Sequence, residues 1–260
     1  MKPPIAIIGI GELASVFARA FLRNGYPVYP ITRNMNIAEE AENLPTPQLV
    51  LAAVAETDFH KVMQTIPDRW RKRLVLLQNE LLPRDWLTHG IDNPTVISVW
   101  FEKKKGMDYN VLLPSPVYGP GADLIAESLA GIEISSKILS TVDDLIFELV
   151  LKNVFVFTIN IAGLMLEQGT TTSMLWQEHE NLTRDVANDI VALQEYATAR
   201  SFSRDRLMLG LVEGIKGDPD HKCKGRSAPG RLARALETAD QAGLKIPKIR
   251  DIQRRFREAD

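Results

Sequence analysis

The residues Gly9-Ile10-Gly11-Glu12-Leu13-Ala14 have the spacing G-x-G-x-x-A. They follow a short apolar run, Ile5–Gly9, and open a helical pattern, Glu12–Asn24. In that setting Gly9 permits a tight strand-to-helix turn, Gly11 lets the backbone approach a pyrophosphate, and small Ala14 lets helix and strand pack closely. The helix start at Glu12, Leu13 and Ala14 offers unpaired N–H groups and a partial positive charge to phosphate oxygens. Glu12 suits the helix dipole but would repel a diphosphate, so its carboxylate has to point away. A tight turn that binds nothing is the alternative.

The second apolar run ends Ile31-Thr32-Arg33-Asn34. NAD sites place an acid here for the ribose 2′-hydroxyl. This strand has none. Arg33 can pair with a 2′-phosphate, and Thr32 and Asn34 can donate hydrogen bonds, so the expected cofactor is NADP. A solvated Arg33 is the competing reading. The fourth run ends Leu77-Gln78-Asn79-Glu80. Asn79 stands at the carboxyl end of a parallel strand, where such sheets bind ligands, and its amide can donate to a carbonyl or accept from a hydroxyl. It can equally stabilise a turn.

Lys152 lies among Phe147, Leu149, Val150, Leu151, Val154, Phe155, Val156 and Phe157. Burying a lysine is costly unless it is paired or opens into a cavity. Asn160 is two turns on, about 80° round at ~100° per residue. On an inward stripe the ammonium could donate a proton to a carbonyl oxygen as hydride reaches the carbon. A Glu148–Lys152 ion pair with a packed Asn160 fits the residues equally well. Residues 218–227 form a polar loop in which Arg226 or Ser227 could bind a carboxylate, or which is simply solvated. The four histidines, His60, His89, His179 and His221, show no metal-ligand spacing, so no metal is expected. The Lys103–Lys105 run and the basic tail from Lys245 to Arg257 read as solvated faces.

The first half alternates strands with helices. Strands are expected at Ile5–Gly9, Pro27–Ile31, Gln48–Val54, Arg73–Leu77 and Thr95–Val99, with a helix at Thr57–Ile66. They are rich in Val, Ile and Leu on both faces, as in a parallel sheet covered on both sides. Phe101–Gly121 reads as a hairpin or loop region closing the sheet. A helix at Asp123–Gly131 and a strand at Ile132–Ser135 follow. Thr141 with Asp144 resembles a capping box opening a long helix to about Gln168. Further helices are expected at Met174–Ser201, Arg204–Gly214, Pro229–Ala242 and Lys248–Glu258. The fold class is therefore an α/β Rossmann domain with a doubly wound, mostly parallel sheet, followed by an all-α domain. Residues 1–140 are expected to bind NADP, and 141–260 to serve substrate binding and dimerisation.

The chain has 260 residues with 31 basic and 33 acidic side chains, a formal charge of −2. A nucleic-acid partner is not expected, since such proteins show a basic excess. Cys223 is the one cysteine, which precludes an intramolecular disulfide and suits a reducing cytoplasm. The N-terminus does not read as a signal peptide. Leu145–Leu166 is long enough to span a bilayer but carries Glu148, Lys152, Asn153 and Asn160, so a buried helix and no membrane partner are expected.

Over most of its length the chain resembles the ketopantoate reductases, which join a Rossmann domain to a helical domain like that of 6-phosphogluconate dehydrogenase. The resemblance rests on Gly9-Ile10-Gly11, Thr32-Arg33, Gln78-Asn79, Lys152 with Asn160, and the late Ala242-Gly243-Leu244-Lys245-Ile246-Pro247. It implies that Lys152 is a general acid during hydride transfer from NADPH to a 2-keto acid. It also implies that Asn79 lies beside nicotinamide and substrate, and that Asn160 has a substrate-side role. Departures accompany it. The family's Asn-Gly is Asn79-Glu80, an expected asparagine is Val156, and a lysine after the third strand is replaced within Ala53-Val54-Ala55-Glu56. The late Gly-Arg-x-Thr-Glu reads Gly225-Arg226-Ser227-Ala228-Pro229, without the substrate-binding glutamate. The cofactor half is retained better than the substrate half. The expected function is an NADP(H)-dependent oxidoreductase reducing a small 2-keto acid or related carbonyl compound. The alternative is a non-catalytic NADP(H)-binding or sensing protein.

Overall fold

The computed structural model describes residues 2–259. The chain divides into two compact units, Met1–Leu149 and Val150–Asp260. The first opens with strand β1 (Ile5–Ile8), helix α1 (Glu12–Arg23), β2 (Val28–Ile31), α2 (Ile37–Asn43) and β3 (Leu49–Ala52). It continues through α3 (Phe59–Thr65), α4 (Asp68–Arg71), β4 (Leu74–Leu76), α5 (Pro83–Leu87) and β5 (Thr95–Ile97). A hairpin of β6 (Phe101–Lys103) and β7 (Tyr109–Val111) precedes β8 (Ser115–Tyr118), α6 (Ala122–Ala130) and β9 (Ser136–Ile138).

Seven strands form one sheet in the order β2-β1-β3-β4-β5-β8-β9. From β2 to β5 every pairing is parallel, β8 runs antiparallel to β5, and β9 is parallel to β8. The order reverses at β1, which creates the crevice where doubly wound sheets take ligands. All four residues of β1 and of β3 are buried, as two-sided coverage demands. On α1, Ala14, Val16, Phe17, Ala20 and Phe21 form the buried stripe.

Helix α7 (Val142–Gly163) runs across the division between the units. The Thr141 hydroxyl accepts from Asp144 N at 3.1 Å and donates to Asp144 Oδ2 at 2.7 Å, which realises the cap read from sequence. By length and composition α7 could cross a membrane, but 83% of its most apolar window is buried inside the protein. The second unit adds α8 (Thr172–Glu178), α9 (Glu180–Thr198), α10 (Arg204–Gly217), α11 (Ala228–Ala242) and α12 (Pro247–Ala259).

Several sequence expectations are corrected. Residues 174–201 are two helices, because His179 leaves the helical region at φ −132°, ψ 36°. The last sheet strand is Ser136–Ile138, while Ile132 and Ile134 plug the core beside α6. Helix α7 stops at Gly163, where a Cβ would meet Cys223 Cβ at 2.7 Å and its carbonyl carbon at 2.8 Å. Helices α2, α4 and α5 were not anticipated; Asn36 starts α2 by accepting from Ala38 N at 3.0 Å.

Candidate dinucleotide site and catalytic side chains

Gly9 adopts φ +92°, and a Cβ there would lie 2.6 Å from the Ala53 carbonyl oxygen. Only glycine fits, because the turn is left-handed and backbone presses on it. A Cβ on Gly11 would meet nothing within 4 Å, so this side of the turn is open. Gly11 caps α1 in extended conformation and, being glycine, brings no capping side chain to the first N–H groups. Ala14 is buried against the sheet core. The arrangement fits a diphosphate: an uncapped helix start, an open approach and a small packing residue.

Glu12 satisfies the requirement that it turn aside. Its Oε2 lies 3.4 Å from Lys103 Nζ on the β6–β7 hairpin. The Lys103–Lys105 run was read as solvated. That is corrected for Lys103, whose side chain is only 18% exposed. Lys104 does stay at the surface, 2.8 Å from Glu102.

At the end of β2, Thr32 is half-buried and Arg33 exposed. Thr32 N donates to Met35 Sδ at 3.4 Å and its carbonyl accepts from Met35 N at 3.0 Å. These bonds fold the β2–α2 turn and leave the Arg33 guanidinium in solvent.

Beyond β4, buried Gln78 braces two strand ends, with Nε2 donating to Ala52 O at 2.6 Å and Val54 O at 3.3 Å. Asn79 follows, half-buried, and its Nδ2 donates to Glu56 Oε1 at 3.2 Å. Glu80 adopts φ +65°, a left-handed conformation that favours glycine.

In the second unit Lys152 is half-buried on α7, its Nζ 5.5 Å from the Phe155 ring centroid. Glu148 Oε1 lies 3.9 Å from Lys137 Nζ on β9. Asn160 is buried: Arg231 Nη1 donates to its Oδ1 at 2.6 Å, and its Nδ2 donates to Cys223 O at 3.4 Å. Arg231, only 8% exposed, was missed from sequence. Its signal was available, since it falls with Ala228, Leu232, Ala235 and Ala239 on the buried stripe of α11. Asn153 was also missed as a partner; its Nδ2 donates to Gln194 Oε1 at 2.9 Å between α7 and α9.

Arg226 and Ser227 are exposed just ahead of α11, and the Ser227 side chain makes no capping bond. The preceding loop is pinned to α8: Thr172 N donates to His221 O at 2.8 Å, Thr172 Oγ1 to Asp218 O at 2.7 Å, and Ser173 N to Pro219 O at 3.0 Å. Burial raises the Cys223 thiol to about 11, so it stays protonated at neutral pH.

A mostly parallel sheet whose strand order reverses at β1, followed by an all-helical unit, defines a two-part Rossmann architecture. More narrowly, it is the fold of the ketopantoate reductases. The 2-dehydropantoate 2-reductase of Methylococcus capsulatus superposes with a TM-score of 0.69 at 12% identity, over 96% of this chain and 94% of that one. A dimeric ketopantoate reductase from Staphylococcus aureus gives 0.65 at 14% identity, over 98% of each chain. A D-mandelate dehydrogenase in complex with NADH gives 0.66 at 12% identity, over 97% of this chain and 96% of that one. No family model and no curated protein matches the sequence.

Proposed function

We propose that the chain is an NADP(H)-dependent oxidoreductase that reduces a small 2-keto acid or related carbonyl compound. The observation that carries the reading is the amino end of α1. Gly9 is forced by backbone contact, Gly11 is open to an approaching group, and Glu12 is drawn off by Lys103. Sharing the ketopantoate reductase fold over nearly the whole chain supports it. Exposed Arg33 favours NADP over NAD, because a guanidinium can grip a 2′-phosphate with two charge-assisted bonds.

NADPH, when bound, supplies the hydride. The chain's own residues have the remaining duties. Gly9, Gly11 and the N–H groups of Glu12, Leu13 and Ala14 receive the diphosphate, while Thr32 and Arg33 receive the 2′-phosphate. Lys152 polarises the substrate carbonyl and delivers a proton to its oxygen, so the product is a hydroxy acid. Asn79 orients a substrate or ribose oxygen. Asn160, Arg226 and Ser227 are proposed on the substrate side. The reading includes a homodimer in the cytoplasm, with no metal, nucleic acid or membrane.

A second reading, a non-catalytic NADP(H) binder or sensor, is favoured by one feature. Both candidate amides are engaged within the chain, Asn79 with Glu56, and Asn160 with Arg231 and Cys223. Titrations with NADPH and NADH, followed by tryptophan quenching, together with a 2-keto acid panel, separate the readings. The enzyme binds NADPH more tightly and oxidises it with at least one acid. A binder shows affinity without turnover, and absence of binding contradicts both.

A further inference from the structure

We infer that Lys103 is a positioning residue for the dinucleotide diphosphate, acting by holding the Glu12 carboxylate away from the amino end of α1. The inference rests on the dinucleotide reading given above. A carboxylate in the first turn of a helix is drawn toward that helix's own unpaired N–H groups. Those are the groups a diphosphate would take, and Gly11 brings no side chain to occupy them. An unrestrained Glu12 would therefore compete with the ligand and repel it.

The structure supplies the restraint. Lys103 Nζ faces three oxygen acceptors: Glu12 Oε2 at 3.4 Å, Lys104 O at 3.2 Å and Met107 O. The ammonium is thus fixed by the tip of its own hairpin before it reaches α1. Strand alternation sends Phe101 and Lys103 to the same face of β6. Phe101 packs on Phe17 of α1, with ring centroids 5.8 Å apart. On the paired strand Tyr109 is registered against Lys103, and its hydroxyl donates to Ile132 O. The hairpin lies outside the seven-stranded sheet, and carrying this lysine to α1 gives it a role there.

The test is a double-mutant cycle on NADPH affinity at low ionic strength, read by calorimetry on wild type, Lys103→Met, Glu12→Gln and the double variant. Methionine keeps the stem and removes the charge. Lys103→Met is expected to weaken NADPH binding about tenfold, and the loss shrinks as salt is added. Glu12→Gln keeps the backbone N–H and removes the repelling carboxylate, so it is expected to bind NADPH more tightly than wild type. The double variant returns to within about threefold of Glu12→Gln, since no carboxylate remains to be restrained. A double variant as weak as Lys103→Met would assign Lys103 a merely structural role and overturn the inference, as would unchanged affinity in Lys103→Met. If wild type binds neither NADPH nor NADH, the dinucleotide reading itself falls and this inference with it. Wild-type binding with no loss in Lys103→Met sinks the positioning role alone.

Discussion

In the proposed function, Arg33 is the side chain on which the choice between NADP and NAD turns. Among the described residues no ion pair engages it, and it stands in solvent just past β2. A hydrogen bond to a charged group contributes about 1.5–3 kcal/mol. Arg33→Ala is therefore expected to raise the Kd for NADPH by roughly tenfold to a hundredfold, leaving NADH affinity within about twofold. Paired titrations check this; equal losses for both nucleotides would remove the 2′-phosphate contact. His89 makes a second residue-scale case. Its Nε2 lies 2.9 Å from His60 Nδ1, although the two are far apart in sequence. Burial, then the neighbouring His60 and Arg71, lowers the His89 pKa below its ordinary 6.5. The carboxyl of Asp85, itself raised by burial, opposes that shift. With a depressed folded-state pKa the unfolded chain binds more protons, so this contribution to stability is complete above about pH 6.5 and is lost as pH falls below it. Thermal unfolding of His89→Gln is expected to depend less steeply on pH between about 6.5 and 5 than that of wild type. Parallel curves would exclude the contact as a source of acid sensitivity.

At the scale of elements, buried side chains set where helices begin. Asp189 on α9 is buried, and its Oδ2 accepts from Ile249 N at 2.9 Å, which caps α12 from a neighbouring helix. Burial raises its pKa, while the bonds from the Ile249 and Lys248 backbone lower it. Asp189→Ala removes the acceptor and is expected to cost about 1 kcal/mol. Asp189→Asn keeps an acceptor, loses the buried charge and is expected to lie within about 0.5 kcal/mol of wild type. Denaturant unfolding measures both; an alanine variant as stable as the asparagine variant would refute the cap. Strands β1, β3, β4 and β5 were legible because their apolar runs suit burial on both faces. The end of the sheet was not. Ile132 and Ile134 carry the apolar signal but pack as core plugs, whereas the pairing strand, Ser136–Ile138, is partly exposed. The break at His179 was equally hidden, since buried Leu175 and Val186 continue an apolar pattern across it.

For the whole molecule, the turn into α1 was easier to read than the polar contacts of the helical unit for a physical reason. That turn is local, one strand end and one helix start within a few residues. The left-handed Gly9, the open Gly11 and the buried Ala14 could therefore be expected from spacing. The partners of the helical unit join segments far apart in the chain, such as Asn160 with Arg231 and Asn153 with Gln194. No spacing rule reaches that far. Lys103 was misread for a related reason: three consecutive lysines look solvated until a hairpin turns one of them inward. The proposed reduction requires the ammonium on α7 to take part in the chemistry. The most direct measurement is the rate of NADPH oxidation by wild type and Lys152→Ala across a panel of 2-keto acids, with NADPH affinity measured alongside. General acid catalysis contributes roughly 10²- to 10⁴-fold, so the variant is expected to lose about that much kcat on the acid that wild type reduces, with NADPH affinity held within about threefold. Equal turnover by both proteins, or none by wild type on any acid, would contradict it.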